Sequence, residues 1–264
     1  MCPPTVAYDA SPPQPDKSVF PLRDDNPTST FPLMTILLIA ATVGVWWLVQ
    51  GWGFSYSTLT ESICRYGAIP LEVTSRTSLA VEGPCAIGGL GWEAMLTSMF
   101  LHGGWMHLIG NMWFLWIFGN NVEDAMGSLR MLVFYILVGL LAGGAQVIST
   151  PESAVPMVGA SGAVSGVMGA YLVLYPRARV DTLFFFFLFV RIVPLPAWVM
   201  LAYWMLIQVV ASTVTPEGAG GVAYMAHIGG FVAGLVLLPV FRGRRDPRVP
   251  RRARDRRRIR SARS

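Results

Sequence analysis

Apolar residues are gathered into long runs, broken by short clusters of charge, Gly and Pro. Residues 31–50 carry no charge, enough helix to cross a hydrocarbon core of roughly 30 Å. Trp46, Trp47 and Trp52 mark the far interface of this first span. Residues 53–98 form a mixed stretch with Glu61, Arg65, Glu72, Arg76 and Glu82, long enough to predict structure of its own. Apolar character returns over 99–118, a second span. A turn at 119–128 carries Glu123 and Asp124, and 129–148 is a third span. After a polar loop at 150–156, the fourth span, 158–175, is rich in Gly, Ala and Ser, and Pro176, Arg177 and Arg179 close it. The run 182–213 is too long for one upright helix. Pro194 and Pro196 divide it, placing 184–189 at the interface and a fifth span at 197–213. A Gly-rich turn at 215–221 precedes the sixth span, 222–240. The pattern predicts an all-α membrane protein, a bundle of six transmembrane helices with a long outward-facing loop between spans one and two. Its parts are a disordered tail (1–30), a membrane domain (31–241) and an Arg-rich tail (242–264).

Composition supports this picture. The chain has 264 residues, 53% hydrophobic and only 13% charged, against about 25% charged in an ordinary soluble domain. Of its 20 Lys and Arg residues, twelve fall between Arg242 and Arg263. Lys17, Arg23, Arg130, Arg177, Arg179 and that tail share one side of the predicted bundle, whereas Arg65 and Arg76 lie on the other. The positive-inside rule makes both termini cytoplasmic and turns the 53–98 loop outward. The tail reads as a solvated segment near anionic lipid, with no nucleic acid as its partner. The Pro-rich start has neither the basic region nor the apolar core of a signal peptide, and no transit peptide is recognisable. The expected location is a prokaryotic cell (plasma) membrane, crossed several times. Three cysteines imply no disulfide framework, though Cys64 and Cys85 share one loop and a bridge between them is a hypothesis.

Polar residues inside apolar spans carry the chemistry. Ser161 lies in Gly159-Ala160-Ser161-Gly162, and His227 in Ala226-His227-Ile228-Gly229-Gly230. A hydroxyl and an imidazole are costly in hydrocarbon without partners. On the predicted topology, spans two, four and six run the same way. Ser161 is near the outer end of span four, and His227 lies roughly 8 Å into span six. His102, His107 and Asn111 occupy the outer half of span two. All three histidines of the chain thus fall in one layer with Ser161. His107 and Asn111, four apart, share one helix face. His102 sits about 140° around from His107, at the helix mouth. Gly159, Gly162, Gly166 and Gly169 slim span four, and Gly230 and Gly234 slim span six. A hydroxyl beside a base is the equipment of a serine nucleophile. Taken singly, each feature has a plainer reading: helix packing for the glycines, interhelical hydrogen bonds for His107 and Asn111. A metal site is disfavoured, because the layer lacks Asp, Glu and an HExxH motif. A transporter with a polar substrate layer would not need Ser161 and His227 together.

The run His102-Gly-Gly-Trp-Met-His107-Leu-Ile-Gly-Asn111, the Gly159-Ala160-Ser161-Gly162 motif and Ala226-His227-Ile-Gly-Gly230-x-x-x-Gly234 resemble the rhomboid family of intramembrane serine proteases. The likeness covers residues from about 92 to 238, in the family's order. It implies a rhomboid-like bundle, a Ser161–His227 catalytic dyad, and oxyanion stabilisation by His107, Asn111 and the Ser161 N–H. His102, Gly159 and Gly162 would support the site. It also implies transmembrane protein substrates, cleaved near the outer face after local unwinding, and no cofactor. The alternative is a pseudoprotease that binds or escorts membrane proteins; such relatives typically lack Ser or His. Two positions depart from the family pattern. Trp92-Glu93 stands where some relatives have Trp-Arg. Ser165 replaces an aromatic on which the histidine ring stacks, so support for His227 must come from elsewhere.

Overall fold

The computed structural model describes residues 19–75, 85, 90–186, 189–215 and 222–243. The expectations for Cys2, Lys17, Arg76, Glu82, the 216–221 turn and the tail beyond residue 243 lie outside these residues.

Most of the chain is helical. α1 (Leu33–Leu48), α5 (Trp105–Met126), α6 (Ser128–Ser149), α7 (Ser161–Leu174), α8 (Ala197–Val214) and α9 (Tyr224–Phe241) form the bundle. α2 (Tyr56–Tyr66), α3 (Pro70–Ser75) and α4 (Ala94–Thr97) are short helices of the connection between α1 and α5. That connection has structure of its own, as its length predicts. Three helices, α6, α8 and α9, are long and apolar enough to cross a membrane, and α1 and α7 are shorter apolar helices. Much of the surface is apolar, including Leu48, Ile148, Val214, Val236 and Val240, as lipid-facing helices require.

α7 is the central helix, and every residue from Gly162 to Tyr171 is buried. Its glycine stripe lets the backbone of α9 come into contact. A Cβ on Gly230 would strike the Gly162 carbonyl, and one on Gly234 would strike the Gly166 carbonyl. Reciprocally, a Cβ on Gly169 would strike the Phe231 carbonyl. Packing of this kind replaces the hydrophobic effect as the source of helix association in lipid.

The far end of the bundle, away from Ser161, is joined by polar contacts. Glu123 is 1% exposed, yet its carboxylate accepts from Met34 N, Thr35 N and Thr35 Oγ1 at 2.8 Å each, and from Ser128 Oγ at 2.6 Å. It therefore satisfies the free N–H groups at the start of α1, where a negative charge is also favoured. Asp124 accepts from Ser29 and Thr30 in the preceding segment. These contacts explain why α5 extends to Met126 rather than ending near residue 118: its last turns carry the carboxylates that hold α1.

A three-stranded antiparallel sheet, β1 (Val19–Asp24), β2 (Arg179–Phe186) and β3 (Phe189–Pro196), departs from the all-helical expectation. The predicted disordered tail is ordered from Val19, and of the predicted interfacial stretch, residues 184–186 belong to β2 and Phe189 to β3. The reason is local chemistry. Val, Thr, Ile and Phe favour a pleated surface, and Pro194 on an edge strand forbids a helix but not a strand. β1 lies on α5: Trp113 Nε1 donates to the Pro21 carbonyl at 2.8 Å, and the Phe20 ring packs on Trp113 and Phe114. At the end of β1, Asp24 Oδ2 accepts from Tyr171 OH at 2.6 Å and from Asn121 Nδ2 at 2.7 Å. The Cys64–Cys85 disulfide is formed, and it pins a small cluster with Ile69.

Three outcomes are expected. Gly234→Val forces α9 off the Gly166 carbonyl and lowers the melting temperature in detergent, by a destabilisation of about 1–3 kcal/mol; an unchanged melt would remove the close contact. Burial pushes the Asp24 carboxyl up to about 6, against the opposing Tyr171 hydrogen bond. The folded state thus binds this proton more tightly than the unfolded chain, so stability falls as pH rises from about 4 to about 6. Asp24→Asn keeps an acceptor for Tyr171 and flattens that slope in thermal melts across the same window. Finally, a maleimide mass tag adds once to the denatured, unreduced chain and three times after reduction; three additions before reduction would exclude the bridge.

Candidate active site

The segment before α7 is tied down twice. Met157 and Ala68 exchange backbone hydrogen bonds at 3.0 and 2.7 Å, and Gly159 N donates to the Ser98 carbonyl at 2.9 Å. Gly159 has φ 124°, a left-handed value that L side chains avoid. Space makes the same demand. A Cβ there would lie 2.7 Å from His107 Nε2 and 3.6 Å from Ser161 Oγ. Gly159 is thus the clearing over which the His107 ring and the Ser161 hydroxyl converge.

Ser161 is the first residue of α7, with Ala160 as the cap. Its N–H belongs to the first turn, where backbone donors have no intrahelical partner and the helix end is electropositive. His107 sits in the first turn of α5. Its Nδ1 accepts from Gly103 N at 3.3 Å, so the neutral ring carries its proton on Nε2, the nitrogen beside Gly159. Asn111, one turn along α5, is buried, and its Nδ2 has no hydrogen-bond partner among the described residues. α5 therefore presents two donors one turn apart, with the His107 ring beside the clearing at Gly159.

His102 is fully buried ahead of α5. Its backbone is clamped by Gln50, which accepts from His102 N and donates to the His102 carbonyl, both at 2.9 Å. Its ring packs edge-on against His107, centroids 5.0 Å apart. Neither ring nitrogen has a partner among the described residues.

His227 lies in the first turn of α9. Gln146 Oε1 accepts from Met225 N and Ala226 N at 3.1 and 3.3 Å and fixes that turn. Gly162 and Ala226, the residues next to Ser161 and His227 in sequence, approach across the α7–α9 contact: a Cβ on Gly162 would lie 3.6 Å from the Ala226 carbonyl. Ser161 Oγ makes no hydrogen bond to His227 among the described residues. His227 Nδ1 instead meets Gln208 Oε1 at 2.7 Å, and its ring lies 5.8 Å from the Trp204 ring, tilted by 40°. Ser165, one turn into α7, donates to the Ser161 carbonyl at 2.6 Å. The support that an aromatic at 165 would give His227 comes from α8.

Sequence reasoning missed Gln208, Trp204, Gln146 and Gln50. The signal existed for Gln208, a lone amide inside an otherwise apolar run. A cleft of about 790 Å³ opens beside the site, lined by Gln146, Met157, Val158, Tyr224 and Met225 among others. Among the described residues, no group of three or more His, Cys, Asp or Glu side chains is arranged to hold a metal.

Comparison with known proteins adds to this geometry. The chain is 34% identical over 141 residues to "Rhomboid protease GluP" of Bacillus subtilis, covering 53% of this chain and 24% of that one. It is 34% identical over 142 residues to "Rhomboid-like protease 5" of Toxoplasma gondii, covering 52% and 15%. It is 30% identical over 164 residues to "Inactive RHOMBOID-like protein 8" of Arabidopsis thaliana, covering 57% and 44%. The chain spans less than half the length of each of these relatives. Residues 90–244, more than half of the chain, match the Rhomboid domain. The chain belongs to the rhomboid family.

Proposed function

We propose that this protein is an intramembrane serine endopeptidase that cleaves transmembrane segments of other membrane proteins. The observation that carries the reading is the convergence at Gly159, with the His107 Nε2–H and the Ser161 hydroxyl on either side of one small clearing. Ser161 Oγ attacks the scissile carbonyl, and His227 takes its proton and returns it to the leaving amine. His107, Asn111 and the Ser161 N–H receive the oxyanion. The unsatisfied Asn111 amide is the donor such an anion needs. His102 supports the His107 ring, and Gly159 and Gly162 keep the approach open.

α1, α5, α6, α7, α8 and α9 serve as six spans, with both termini in the cytoplasm and the α1–α5 connection outside. The Cys64–Cys85 bridge suits an oxidising outer compartment. α7 has only 14 residues, about 21 Å of helix, so Ser161 starts below the membrane surface. The non-helical segment ahead of it then lines a water-accessible cavity, the one place where such backbone is tolerated at depth. The Arg-rich tail rests against anionic lipid of the plasma membrane. Substrate enters laterally and unwinds locally, since an intact helix hides its amides.

A second reading, a pseudoprotease that binds or escorts membrane proteins, draws on the absence of a Ser161–His227 hydrogen bond and on a relative named inactive. Purified protein decides between them. A fluorophosphonate probe labels the wild type, a labelled transmembrane substrate is cut, and Ser161→Ala and His227→Ala abolish both. Asn111→Ala retains labelling but cuts about 10²–10³-fold more slowly. A folded wild type that neither labels nor cleaves supports the pseudoprotease; cleavage that survives Ser161→Ala overturns the mechanism.

A further inference from the structure

α8 is the most loosely held helix of the bundle, and its apolar residues Leu206, Ile207, Val209 and Val210 are exposed. Beyond Leu201 only Gln208 is buried, at 7% exposure. Its Nε2 donates to the Trp204 carbonyl at 3.5 Å, which turns Oε1 toward His227. At 2.7 Å from His227 Nδ1, a carbonyl oxygen only accepts, so the ring proton sits on Nδ1 and the Nε2 lone pair is free.

Building on the protease reading above, we propose that Gln208 is the positioning residue of the His227 base: its amide oxygen fixes the tautomer and ring orientation that leave Nε2 available to Ser161. Oγ bonds to the carbonyl carbon while its proton passes to Nε2, and the carbonyl π pair moves onto oxygen. The same proton later leaves with the amine. Throughout, Nδ1–H stays on Gln208. His107 and His227 are then held in opposite tautomers by neutral partners. The Gly103 N–H makes His107 a donor, and the Gln208 carbonyl makes His227 an acceptor. Because Gln208 is neutral, the imidazolium formed during reaction has no carboxylate to stabilise it. Because it rides on α8, the basicity of His227 depends on where that helix lies.

Full-length protein in lipid vesicles tests this with Gln208→Leu, which keeps the bulk and removes the acceptor, and Gln208→Glu, which restores it with charge. The leucine variant melts like the wild type but loses about 10–100-fold in kcat, as for other groups that orient a histidine, with KM little changed. The glutamate variant regains turnover, and the acidic limb of its pH–rate profile moves to higher pH, because an anion at Nδ1 favours the imidazolium. Ring ¹⁵N spectra, with His227→Asn for assignment, report the proton on Nδ1 in the wild type and its redistribution in Gln208→Leu. A wild-type kcat and pH profile in Gln208→Leu overturns the proposal while leaving the protease reading intact. If the wild type does not cleave, that reading fails, and the ¹⁵N spectra alone decide: a wild-type His227 protonated on Nε2, or a tautomer unmoved by Gln208→Leu, removes the role of Gln208.

Discussion

Two helix backbones in contact set the terms for everything else in this protein. α7 and α9 meet carbonyl against glycine, at Gly162 with Gly230 and at Gly166 with Gly234. In lipid no hydrophobic gain drives helices together, so close backbone approach must do it. Ser161 lies one residue before this seam on α7, and His227 three residues before it on α9. A single methyl group in the seam would push the helices apart and carry both residues with them. The candidate site is a consequence of how α7 and α9 pack.

Around that seam, polar groups are stationed at two levels, each solving a different problem. At the far level Glu123, Asp124, Asp24, Asn121 and Tyr171 find one another and the start of α1, and their hydrogen bonds are satisfied. At the Ser161 level the pattern is incomplete: Asn111 Nδ2 has no hydrogen-bond partner among the described residues. Buried polar groups left without partners raise the free energy of the folded state. Saturated polarity holds the fold together, whereas the Asn111 amide keeps a donor that no described residue uses.

The sequence made the candidate site conspicuous because lipid makes polar residues conspicuous. Ser161, His107, Asn111 and His227 interrupt apolar runs, and their spacing along the predicted spans places them at one expected depth. The glycine stripe was legible for the same reason. The sheet was not. The run 182–196 is as apolar as a helix of the bundle, and only β-branched and aromatic crowding with Pro194 betrays a hairpin. β1 was hidden further, since its pairing joins residues more than 150 positions apart, such as Val19 with Phe184. Glu123 was read as part of a turn, because its partners belong to α1. Gln208 stood in plain view, but its value depends on a hydrogen bond that spacing does not reveal.

The sheet has a mechanical meaning. β1 is fastened to α5 through Trp113 and the Phe20 ring, and β3 runs without a loop into α8 at Ala197. The β1–β2 and β2–β3 ladders therefore form a hinge strap between α5 and α8. If α8 swings outward, it must peel strand from strand, drag β1 off Trp113, or pivot about Pro196. The segment ahead of the first helix is thereby wired to the far side of the bundle.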